Sequence, residues 1–98
     1  MLDSSHILSI LKRNMHELQK FGVSDIGVFG SYVRGDQTPN SDIDIFVDFL
    51  KGEENFDNLM ALYDILESLF QNQRIEIVSK NGLSVHIGPK IMQEVIYA

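Results

Sequence analysis

An apolar run of strand length, Asp25-Ile26-Gly27-Val28-Phe29, stops at Gly30-Ser31. Ten residues later Asp42-Ile43-Asp44 opens a second run, Ile43-Asp44-Ile45-Phe46-Val47. A glycine-serine break at the end of one strand and two aspartates at the head of the next constrain the chain more than any other stretch. Glycine lets an anion approach the backbone without a side chain in the way. Exposed N–H groups at the start of a helical turn attract phosphate, and the Ser31 hydroxyl adds a hydrogen bond. Tyr32-Val33-Arg34 makes one helical turn, broken at Gly35, and residues 36–41 are loop chemistry throughout.

The flanking segments supply a scaffold. Ile7, Leu8, Leu11, Met15 and Leu18 recur at helical spacing, which predicts a packing helix over residues 4–20. Ser4 or Ser5 is the expected cap, and Gly22 follows the end. A second helix is expected from Phe56, with Phe56, Leu59, Met60, Tyr63, Leu66 and Phe70 as its core face. Arg74-Ile75-Glu76-Ile77-Val78 alternates as a third strand. The tail from Leu83 to Ala98 is weakly helical, with Pro89 placed for the first turn of a closing helix. The fold class predicted is α+β: a small mixed β-sheet flanked by helices, in one domain spanning residues 1–98.

Strand parity then gives the polar residues a geometry. Alternate side chains share a face. Ile43, Ile45 and Val47 face one way, and Asp42, Asp44, Phe46 and Asp48 the other. Ile75 and Ile77 share a face, and Glu76 opposes them. If the two strands are neighbours on one core, Asp42, Asp44 and Glu76 converge. Three carboxylates together repel one another. Divalent cations resolve that conflict, and magnesium takes a few carboxylate oxygens along with water and substrate phosphates. Two such ions suit an in-line displacement at phosphorus. Arg34 is placed either to touch a phosphate or to pair with a nearby acid. Asp36 and Asp48 are read as surface charges. The spacing is not that of a Walker loop, and an EF-hand would need its sharp-turn glycine where Val47 stands.

Composition narrows the classes. The chain has no cysteine, so thiolate metal sites and disulfides are excluded. Its formal charge of −6 argues against a nucleic-acid surface. No apolar stretch is long enough to span a membrane, and the N-terminus lacks the pattern of a secretory signal, so a cytoplasmic location is expected. A chain of 98 residues leaves little room for a second substrate-binding domain, so a large substrate implies a partner that presents it.

Gly30-Ser31, ten residues, then Asp42-Ile43-Asp44 resembles the signature of the DNA polymerase β-like nucleotidyltransferase superfamily. With Gly30-Ser31-Tyr32-Val33-Arg34-Gly35-Asp36 and Ser41-Asp42-Ile43-Asp44-Ile45, the short chain is similar to the minimal nucleotidyltransferases of prokaryotes. The resemblance implies that Ser31 contacts the triphosphate of ATP, with Gly30 and Arg34 beside it as candidate nucleotide-binding residues. It implies that Asp42 and Asp44 bind magnesium, and that Glu76 is the third, metal-binding and proton-accepting carboxylate. Aspartate is commoner at that third position. The resemblance also implies a partner: many minimal nucleotidyltransferases are antitoxins paired with a small helical HEPN toxin, and can move AMP onto a toxin tyrosine. Two alternatives stand beside that reading. One is a non-catalytic antitoxin that neutralises its partner by binding, and the other is transfer to a small molecule.

Overall fold

The computed structural model describes residues 2–83 and 86–98. The elements run α1 (Ser4–Arg13), α2 (Met15–Gln19), β1 (Val23–Phe29), α3 (Ser31–Arg34), β2 (Ile43–Phe49), α4 (Phe56–Leu69), β3 (Ile75–Ser79), a 3-10 turn (Lys80–Gly82), α5 (Gly88–Glu94) and β4 (Ile96–Tyr97). The four strands form one mixed sheet in the order β3-β2-β1-β4. β1 pairs antiparallel with both β2 and β4, whereas β2 and β3 are parallel and joined through α4. Among the described residues no helix is long and apolar enough to cross a membrane.

The predicted parity sets the layers. Ile26 and Val28 of β1 and Ile43, Ile45 and Val47 of β2 are buried on one face, against Ile7 and Leu11 of α1, Leu18 of α2 and Leu62 and Leu66 of α4. The sheet is thus covered on one side by α1, α2 and α4. Its other face carries Asp44, Phe46 and Asp48, and that is the face on which polar chemistry is possible.

Several local expectations are corrected. The first helix is two helices. Asn14 interrupts it, with its side chain donating to the Ile10 carbonyl at 2.7 Å. Its cap is Asp3, not Ser4 or Ser5. The Asp3 carboxylate accepts from the His6 N–H, and that bond is the main reason its pKa is lowered. In α4 the inward stripe runs through Leu62 and Leu66, so Met60, about 200° round the helix from Leu62, is partly exposed. Phe56 in the first turn is 74% exposed. The closing segment is helical only from Gly88 to Glu94, with Pro89 in the first turn as expected. Residues 84 and 85 of that tail lie outside the described residues.

The tail ends in a strand that periodicity did not reveal. β4 is two residues long, and it fits because β1 has Gly27 opposite it. A Cβ on Gly27 would lie 2.5 Å from the Ile96 carbonyl oxygen and 2.8 Å from a Val95 methyl. Phe46 and Tyr97, the register partners of Gly27 on either side, meet edge to face at 6.0 Å between ring centres. Gly27→Ala must push β4 and the end of α5 outward. The expected cost is about 1–3 kcal/mol of unfolding free energy, read by chemical denaturation.

Candidate nucleotide and metal site

The Gly30-Ser31 break and the Asp-x-Asp pair are brought together by the β1–β2 pairing. Phe29, the last residue of β1, is in register with Asp44. Gly30 follows with φ 79° and ψ −151°, a conformation that side chains other than hydrogen resist. A Cβ there would collide with the Asp44 carboxylate. The glycine therefore does two things: it turns the chain out of the sheet, and it lets the backbone lie directly against Asp44. α3 follows at once and is closed by Gly35, which is left-handed at φ 81° and donates to the Ser31 carbonyl at 2.9 Å. The loop returns to β2 through Thr38 and Ser41, whose Oγ accepts from the Thr38 N–H at 2.8 Å.

On the other side of β2, Glu76 sits in register with Asp44 across the parallel pairing. The two side chains occupy the same face, as parity requires. Asp42 lies just before β2. Asp44 is half-buried, and its pKa is raised, first by desolvation and then by the negative charge of Asp42 and of Glu76. The convergence of the three carboxylates is thus felt electrostatically at Asp44.

Convergence is not a closed cage. Among the described residues no three histidine, aspartate or glutamate side chains stand close enough to hold a metal ion as they are. Asp42 is turned toward Arg74, whose Nε donates to Oδ1 at 2.9 Å. Arg74 is 82% exposed, so this contact is a weak surface pair that a stronger ligand displaces at little cost. The donor set itself, carboxylate oxygens with neither sulfur nor imidazole, fits a hard divalent cation such as magnesium.

Arg34 is paired with acids. Its Nε meets Asp36 at 3.4 Å and its Nη1 meets Glu94 at 3.0 Å. Those two carboxylates, Asp36 first, hold its guanidinium more firmly protonated. Asp36 and Asp48, read as surface charges, each make an ion pair, Asp36 with Arg34 and Asp48 with Lys80 at 3.9 Å. Glu94, at the end of α5, is a site residue that the sequence did not announce. Its carboxylate also accepts from the Gly30 N–H. It belongs to no spaced motif, and it reaches the site only because β4 and α5 fold back over β1.

Comparison with known proteins places the chain in a family. The profile of the nucleotidyltransferase domain family matches residues 8–95. The chain is 40% identical to the protein adenylyltransferase MntA of Thermococcus cleftensis, over 99% of this chain and 97% of that one. A solved structure of a candidate minimal nucleotidyltransferase superimposes with a TM-score of 0.80 at 27% identity, covering 97% of this chain and 95% of that one. A toxin–antitoxin crystal structure with AMP-PNP shares the fold, with a TM-score of 0.57 at 23% identity, over 98% of this chain and 72% of that one. With a glycine-serine turn packed on the first carboxylate strand and a match over nearly its whole length, the chain belongs to the nucleotidyltransferase domain family.

Proposed function

We propose that this nucleotidyltransferase moves AMP from ATP to a protein hydroxyl, a tyrosine of a HEPN-type toxin, and so serves as a cytoplasmic antitoxin. The observation that carries the reading is the contact between Gly30 and Asp44, which puts the phosphate end and the carboxylate end of the motif side by side. The relative named protein adenylyltransferase supports AMP transfer to protein, and the toxin–antitoxin neighbour with AMP-PNP supports the partner and the nucleotide.

In this reading Gly30, Ser31 and Arg34 hold the triphosphate. Asp42, Asp44 and Glu76 would hold magnesium ions, which supply positive charge to the phosphate oxygens when bound. The acceptor oxygen attacks the α-phosphorus, its proton passes to Glu76, and the bond to pyrophosphate breaks. Glu76 is exposed, so a partner can present its tyrosine at that edge of the site.

A second reading, an antitoxin that neutralises by binding alone, is favoured by the glutamate at position 76, where the resemblance makes aspartate commoner. Toxin neutralisation in cells separates the two. The catalytic reading expects an Asp42→Asn/Asp44→Asn chain to bind the toxin but leave it active. A double variant that protects cells fully would favour binding alone.

A further inference from the structure

Glu94 sits where an anion is wanted. Its carboxylate takes the Gly30 N–H and the Arg34 guanidinium, and the side chain is only 18% exposed. These are the donors assigned above to the triphosphate. The same carboxylate closes one side of a cavity of about 200 Å³, lined by Phe29, Gly30, Arg34, Asp44 and Lys90 as well as Glu94 itself. Its placement is unfavourable for its acidic neighbours, because it adds a further negative charge to a group that already holds Asp42, Asp44 and Glu76. What offsets that repulsion is the pair of donors.

We propose that Glu94 is an internal competitor for the nucleotide: its carboxylate holds the Gly30–Arg34 anion position, and a triphosphate binds there by displacing it. This rests on the nucleotidyltransferase reading of the site. A phosphate oxygen and the Glu94 carboxylate cannot both accept from one N–H and lie against one guanidinium without severe like-charge repulsion. Triphosphate affinity is therefore lowered by the cost of moving Glu94 away. Its departure leaves two cations at the cavity, Arg34 and Lys90. Lys90 is one turn earlier on α5 and makes no ion pair among the described residues. The device would keep the site closed to weak anions such as inorganic phosphate while admitting a nucleotide whose charge and metal outcompete one carboxylate.

Calorimetric titration of the full chain with AMP-PNP and magnesium tests this. Glu94→Gln keeps an oxygen for the Gly30 N–H but removes the charge, and it should bind AMP-PNP about tenfold more tightly than wild type. A residue with only a structural role would weaken binding or leave it unchanged. Wild-type binding with an equal or weaker E94Q overturns the competition while leaving the nucleotidyltransferase reading intact. Binding by neither overturns both. A second readout needs no variant: the Glu94 side-chain carboxyl resonance should shift to that of a solvated glutamate when AMP-PNP and magnesium are added. A resonance that does not move contradicts displacement.

Discussion

Asp44→Asn is expected to lower the proposed AMP transfer by about a thousandfold or more, the scale seen when a preorganised charge at the reacting centre is removed. The same change makes the protein more stable. Asp44 stands at the head of β2, against Gly30 and in register with Glu76, and it is the carboxylate on which burial and like charge converge. The sign follows from its raised pKa. The unfolded chain ionises Asp44 more readily than the folded chain does, so the ionised group destabilises the fold at neutral pH. That penalty is fully present above the folded pKa. It fades as pH falls and is gone below the ordinary value of 3.8. With a chelator present, Asp44→Asn should therefore denature at a higher midpoint than wild type at pH 7, with the gap closing in acid. Loss of function with gain of stability marks a residue kept for chemistry.

Glu76→Gln is the second large effect, a fall in transfer of about a hundredfold, measured as initial rates at saturating ATP and magnesium. Glu76 is exposed on an edge strand and packs into no core, so unfolding free energy should be nearly unchanged. The role proposed for it comes from register alone, because β3 runs parallel to β2 with Glu76 beside Asp44. Glu76→Asp keeps the charge and withdraws it by one methylene. A displacement of roughly 1 Å at a reacting centre can cost as much as a hundredfold, so activity between wild type and E76Q is the expected result.

The parts of the fold that local rules govern were legible in the residues. Period-two alternation placed Ile43, Ile45 and Val47 inward and Asp44 outward. The same rule puts Glu76 on Asp44's face provided β2 and β3 are neighbours, which their parallel pairing makes them. Gly30 and Gly35 marked the two ends of α3 because each adopts a positive φ. What stayed hidden depends on tertiary placement. β4 has only two residues, too few for any period, and it exists because Gly27 leaves space for it. The exposure of Phe56 and Met60 reflects which stripe of α4 meets the sheet, and an apolar face as broad as this one does not fix that rotation. Glu94 was hidden for the same reason as β4. Its partners, Gly30 and Arg34, are 64 and 60 residues away, and no spacing rule reaches that far.

Asp42 shows a different limit. Parity puts it on Asp44's side, yet it precedes β2 and its carboxylate is turned toward Arg74. Parity fixes the face of a strand residue and leaves its rotamer open, and an exposed guanidinium is enough to choose the rotamer. Recruiting Asp42 to a metal requires giving up one exposed ion pair, a small cost beside the binding of a divalent cation to converging carboxylates.

The most direct test of AMP transfer to a protein hydroxyl is the intact mass of a HEPN-type toxin after incubation with this chain, ATP and magnesium. The predicted result is a gain of one or more adenylyl groups with the wild-type chain and none with Asp42→Asn/Asp44→Asn. A toxin that binds the wild-type chain yet keeps its original mass, or one modified equally by the double variant, would contradict it.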